Sequence, residues 1–241
     1  MRLAAFISRN RKELLRDPFS LIFGIGLPLF LLMIISSMQN SIKVDIFKIE
    51  LFAPGIAMFS FSFISMFSGM LIAKDRSSSF LTRLFASPLT ASDYIIGYSL
   101  PLLPIALLQS VICFGTAFFL GLPVNANILM ALLVFIPIAI LFIGLGLLLG
   151  SILSDKQVGG IMSILIQVVA FTSGMWFNLD LIGGAFKTIG YALPFAHALD
   201  AARAALSGDL APILPHLLWV IGYAVVIFLA AIWIFKKKMK N

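Results

Sequence analysis

YIIGYSLPLLPIALLQSVICFGTAFFLGLPVNANILMALLVFIPIAILFIGLGLLLGSILS, residues 94–154, contains no Asp, Glu, Lys or Arg. A bilayer core about 30 Å thick is crossed by roughly 20 apolar residues in a helix. The run is too long for one such helix and long enough for two. Its middle, Gly121-Leu-Pro-Val-Asn-Ala-Asn127, is a cluster of turn formers. The stretch therefore reads as a membrane hairpin, with spans at 94–120 and 128–153.

Working outward, the same rule places spans at 19–38, 51–73, 158–179 and 213–235, six in all. Short charged or polar breaks separate them: Lys43 to Glu50, Lys74 to Asp93, and Ser154-Asp-Lys-Gln157. Residues 180–211 are half-polar, with Gly183-Gly184 and Pro194, and form an outer re-entrant segment in this reading. The predicted fold class is an all-α integral membrane protein formed by a single transmembrane domain over 1–241. Hydrophobic residues make up 61% of the chain and charged residues 11%. A soluble domain carries about 25% charged residues, so no separate soluble domain is expected. One cysteine, Cys113, cannot form a disulfide or a cysteine metal site within one chain.

Residues 1–17 are basic and amphipathic. Arg2, Arg9, Lys12 and Arg16 take one arc of a helix, and Leu3, Ile7 and Leu14 another. This predicts an interfacial helix. A signal peptide is the rival reading, opposed by the length of the next apolar run and the lack of a clear small-residue cleavage site. Most of the 17 Lys and Arg fall in the termini and in the breaks at 74–93 and 154–157. By the positive-inside tendency those are cytoplasmic, which puts both termini in the cytoplasm and the net charge of +7 to orientation rather than nucleic-acid binding.

The break at residues 74–93, KDRSSSFLTRLFASPLTASD, has a helical pattern of its own. Ser77, Ser78 and Ser79 offer N-cap hydroxyls. Phe80, Leu81, Leu84 and Phe85 form a one-sided apolar stripe, and Pro88 stops the helix after Ser87. A helix over 77–87 is predicted, lying on lipid headgroups or inserting into another protein. Arg83 is either a rim contact there or an ordinary positive-inside charge.

Within the spans, Phe59, Phe63 and Phe67 recur every four residues; they line a path for apolar cargo or pack against a neighbour. Gln109 and Gln167 are amides in hydrocarbon, with interhelical bonding or cargo contact as the two roles open to them. Gly146-x-x-x-Gly150 signals close packing. No ionisable residue falls inside a predicted span, which argues against a proton-coupled pump and a hydrated cation path. In the outer segment His197, Asp200 and Arg203 are spaced by three; Asp200 and Arg203 are expected to pair. One His with one Asp is too few ligands for zinc, and no catalytic site or metal site is expected.

The chain resembles an ABC-2 type transporter permease, the membrane subunit of an ATP-driven exporter. The resemblance rests on the basic N-terminal helix leading into span one and on Leu81, Arg83, Leu84, Ser87, Pro88 and Leu89 of the 74–93 break. It rests also on Tyr191-Ala-Leu-Pro-Phe-Ala-His-Ala-Leu-Asp-Ala-Ala-Arg203, and on the six-span plan. The family usually has glutamate near Asp75 and glycine-threonine near Ser78-Ser79; the departures keep charge and small size. The resemblance implies two permease subunits in a plasma membrane, each docked to a cytosolic ABC ATPase subunit. It implies that 77–87 is the coupling helix, with Phe80, Leu84 and Phe85 seated in the ATPase. No G-x-x-x-x-G-K-[ST] occurs, so ATP and Mg are expected on the partner and no cofactor on this chain. The uncharged aromatic interior suggests a drug-like or lipid-like amphiphile as cargo, then a glycan or lipid-linked glycan. The readings from other classes are an ATPase-independent channel and a membrane scaffold or maturation factor.

Overall fold

The computed structural model describes residues 2–18, 22–41, 48–78, 80 and 89–238. Among them there is no strand. The helices are α1 (Arg2–Arg16), a π-helical turn (Ile22–Gly26) running into α2 (Leu27–Ser41), α3 (Ile49–Ser77), α4 (Ala91–Phe119) and α5 (Asn127–Ile152). They continue as α6 (Asp155–Thr172), α7 (Leu179–Ile182), α8 (Gly184–Ala192), α9 (Pro194–Ser207) and α10 (Ile213–Lys238). Among the described residues, five helices are long and apolar enough to cross a membrane: Ile22–Gln39, α3, α4, α5 and α10. The segment expected to span at 158–179 instead gives α6, whose polar first turn and early stop at Thr172 leave it outside that set.

The bundle is built around α3. Its apolar residues are buried on nearly every side, while the neighbouring α10 leaves Leu218, Val226 and Leu229 exposed. An apolar helix covered all round is an inner helix of the bundle; one apolar on its outer surface faces lipid. The tightest contact is between α3 and α5, and glycine makes it. A Cβ on Gly146 would lie 2.0 Å from the Ser65 carbonyl oxygen, and one on Gly150 would lie 2.4 Å from that of Gly69. Any other residue at 146 or 150 would push the two backbones apart. The Gly146/Gly150 pair is thus spent inside the chain.

The last turn of α3 runs further than the predicted span. Lys74, Asp75, Arg76 and Ser77 continue the helix. Ser77 is therefore not the N-cap of a new helix: its hydroxyl donates back to the Lys74 carbonyl at 2.9 Å. Ser78 ends α3, and its hydroxyl accepts from the Phe80 backbone N–H at 3.3 Å. Thr90 begins α4 with a capping box, its hydroxyl and backbone engaged by Asp93. Ser154 and Gln157 do the same for α6.

Candidate functional site

One end of the bundle gathers α1, the end of α3, the start of α4, the end of α5 and the end of α10. Phe6 of α1 packs edge-on against Tyr94 and Tyr98, with ring centroids at 5.9 and 4.9 Å. It can do so because residue 97 is glycine: a Cβ there would meet the Phe6 ring at 2.3 Å. Asn10, fully buried, donates to the Gly97 carbonyl at 3.0 Å. Tyr94 also faces Phe235 of α10 at 5.4 Å.

Asp75 is the hub of this end. Arg9 grips it with two N–H groups, Nη2 to Oδ1 at 2.7 Å and Nη1 to Oδ2. The Tyr98 hydroxyl donates to Oδ2 at 2.9 Å. A planar fork on a carboxylate is the strongest ion-pair geometry available to side chains. Burial opposes the charge on Arg9, but the bond and charge of Asp75 outweigh it and its pKa is raised. The Arg9 guanidinium also lies over the Phe80 ring, 4.4 Å from its centroid. One arginine thus holds both the end of α3 and Phe80 in the segment beyond it.

Arg76 points the other way. It donates to the carbonyls of Ser151 and Leu153, and to that of Gly150 at 3.3 Å. Lys238 reaches the Ser151 carbonyl at 2.5 Å. These carbonyls end α5, where unpaired oxygens and the helix dipole favour cations. Two adjacent residues, Asp75 and Arg76, therefore tie α3 to α1 and α4 on one side and to α5 on the other. Beside them, Glu13 and Lys74 pair at 2.7 Å on an exposed surface, and that bond holds the Glu13 pKa down. A cavity of about 400 Å³ opens here, lined among others by Glu13, Arg16, Asp17, Phe67, Lys74 and Asp155.

The predicted coupling residues Leu81, Arg83, Leu84, Phe85, Ser87 and Pro88 lie outside the described residues; Phe80 is the one that can be placed. Of the N-terminal basic residues, Arg9 is the clamp, Lys12 and Arg16 are exposed, and the Arg2 side chain is outside the described set. Phe59, Phe63 and Phe67 are all buried. Phe63 stacks on Phe23 at 6.2 Å and meets Phe59 edge-on at 5.7 Å, and Phe67 lies against Gly24. The π-helical turn covers this face, so within one chain the phenylalanines pack a neighbour, and Phe67 alone of the three lines the cavity. Gln109 is buried and donates to the Gly24 carbonyl of the same turn. Gln167 is exposed on α6.

At the other end, Pro194 opens α9 as a first-turn proline. His197 sits between His216 and Tyr191. Its Nε2 is 3.0 Å from the Tyr191 carbonyl, and its Nδ1 is 2.8 Å from Nδ1 of His216. A carbonyl only accepts, so Nε2 carries the hydrogen and the neutral ring offers Nδ1 to a hydrogen on His216. Trp219 stacks flat on His197 at 5.1 Å. Burial, first of all, lowers the His197 pKa. Asp200 and Arg203 do not form the expected pair. Asp200 accepts from the Tyr191 hydroxyl at 2.9 Å, while Arg203 donates to the carbonyls of Leu51 at 3.1 Å and Gly174 at 3.4 Å. Gly174 has φ +79°, a left-handed turn that glycine adopts at no steric cost and that brings its carbonyl round.

The sequence profile of the ABC-2 type transporter family matches residues 1–207, from α1 through α9. The chain belongs to the ABC-2 type transporter family. It is accordingly a membrane component of an ABC transporter, of the kind that works with an ABC ATPase. No curated protein matches it. In this ABC-2 chain the sequence reading singled out Arg9 only as an interface charge and Asp75 only as part of a motif. Asn10 and Tyr98 carry no local signal of their contacts, and Tyr191 enters only as the first residue of a motif. Their partners are 66 or 87 residues away for Arg9 and Asn10, and no local pattern records such distances.

Proposed function

We propose that this chain is the transmembrane permease subunit of an ATP-driven exporter. It crosses the plasma membrane six times, α6 being the core of the fifth crossing, with both termini cytoplasmic. Two permease subunits work with two cytosolic ABC ATPase subunits that carry ATP and Mg. The cargo is an amphiphile, drug-like or lipid-like, moved out of the cytoplasm or inner leaflet. The segment 77–87 couples the two kinds of subunit.

The observation that carries the reading is the Arg9 contact to both Asp75 and Phe80. The coupling segment begins at a point where α3 is already fixed to α1, α4 and α5 by Asp75 and Arg76. Force applied to that segment enters three helices and the central one together. A loop that merely rested on lipid would gain nothing from such an attachment. The uncharged, phenylalanine-rich bundle supports an amphiphile over an ion as cargo.

The test is uncoupling. The tagged chain is co-purified with its ATPase and reconstituted, and Leu84→Asp and Phe85→Asp are compared with wild type. Membrane insertion should be unchanged, while ATPase co-purification and cargo-stimulated hydrolysis fall at least tenfold. Full stimulation in both variants would refute the coupling role. Ion flux from the chain reconstituted without ATPase would favour a channel instead.

A further inference from the structure

The end of the bundle away from Asp75 holds a second cavity, of about 470 Å³, between the start of α3, the bend after α6, and α7 to α9. Arg203, Asp200, Tyr191 and Ser173 line it. Arg203 has five N–H donors. Its Nε and one Nη1 hydrogen go to backbone carbonyls, and among the described residues Nη2 has no partner. Ser173, 2% exposed, has a hydroxyl with no hydrogen-bond partner among the described residues. Arg203 is half-buried and Ser173 is buried, and both line this cavity. Buried polar groups are ordinarily satisfied, so the unbonded Ser173 hydroxyl beside the spare Arg203 N–H groups calls for an acceptor from outside the chain.

The charges around the cavity select among acceptors. Asp180 is engaged by Lys187 at 2.6 Å. Asp200, one helical turn before Arg203, remains close enough to act on it electrostatically. A dianion would be repelled by Asp200, while a monoanion held by a guanidinium fork is tolerated. Leu181, which lines the cavity, is 87% exposed and offers acyl chains an apolar contact at its mouth.

We infer that this cavity binds the phosphodiester group of a membrane phospholipid, with Arg203 and Ser173 donating to its oxygens and Asp200 excluding dianions. The inference requires that the chain lie in a bilayer; it does not depend on the exporter reading or on that lipid being cargo.

The experiment is lipid retention by mass spectrometry of the delipidated full chain, titrated separately with phosphatidylglycerol, diacylglycerol and inorganic phosphate. Lipid bound around the belt is the same in every variant and cancels in the comparison. Wild type should retain phosphatidylglycerol at least fivefold better than diacylglycerol and should not bind inorganic phosphate. Arg203→Gln should lose that preference. Asp200→Asn keeps the shape and the Tyr191 bond, and should tighten phosphatidylglycerol at least twofold and admit inorganic phosphate. Equal retention of diacylglycerol, an unchanged preference in Arg203→Gln, or weaker binding in Asp200→Asn would each overturn the site. Inorganic phosphate binding to wild type as strongly as the lipid would overturn the lipid as its source. If Arg203→Gln does not fold, the Asp200→Asn result decides.

Discussion

Arg9 and Asp75 form a two-bond ion pair across 66 residues of sequence, and the carboxylate is 3% exposed while the guanidinium is 33% exposed. The asymmetry decides what each side chain is worth. Among the described residues, removing Arg9 leaves a buried carboxylate with only the Tyr98 hydroxyl. Removing one partner of a buried pair typically costs about 3 kcal/mol or more. Arg9→Ala should lower the midpoint of thermal unfolding in detergent clearly, and Arg9→Ala with Asp75→Asn should recover part of the loss. Equal midpoints for the single and double variants would show that the pair does not carry the junction.

Glu13 and Lys74, close beside that pair, provide the contrast. Their side chains are 38% and 65% exposed. Exposed pairs contribute between nothing and about 1 kcal/mol and are screened by salt. Glu13→Gln should therefore barely move the midpoint, and less still at high salt. A large loss would mean that this pair is shielded in the assembled transporter.

Gly150 should tolerate no side chain. An added Cβ meets the Gly69 carbonyl oxygen at 2.4 Å and its Cα at 2.7 Å, both backbone atoms that cannot swing aside. Overpacking of this kind costs about 1–3 kcal/mol, and Gly150→Ala should lower folded yield in size-exclusion profiles. Gly222 on α10 has nothing within 4 Å of its would-be Cβ, and Gly222→Ala should behave as wild type.

His197 predicts a pH dependence with a definite sign. Burial lowers its pKa from 6.5, so the folded chain favours the neutral ring; the His216 charge adds to this, while the Tyr191 carbonyl and Asp200 oppose it. Below pH 6.5 the unfolded chain binds the proton more readily than the folded one. Stability is then fully present above that pH and is lost as pH falls from 6.5 through the lowered value. The Trp219 ring stacked on His197 reports the change through its fluorescence. His197→Phe should flatten that part of the profile.

The hairpin of α4 and α5 is legible in the sequence because its signal is local: apolar runs of the right length around a turn. The π-helical turn is not: Gly24 and Gly26 weaken a helix at this point but do not say that it widens. That turn decides what Phe63, Phe67 and Gln109 touch. The Gly146/Gly150 spacing announces a close contact but cannot say with which helix. His197, Asp200 and Arg203 do form a group on one short helix, as their spacing indicates, yet their partners come from α3, α8, α10 and the bend after α6. Spacing fixes neighbours on one element; it does not fix which backbone carbonyl a guanidinium will find.

Arg203 bonds the first turn of α3 at Leu51, and Arg9 bonds its last at Asp75. The central rod is therefore pinned at its two extremities by residues that belong to other helices. It cannot slide along its own axis without rupturing one of these pins or dragging α1 and α9 with it, so a push delivered at one tip of the rod is felt at the other.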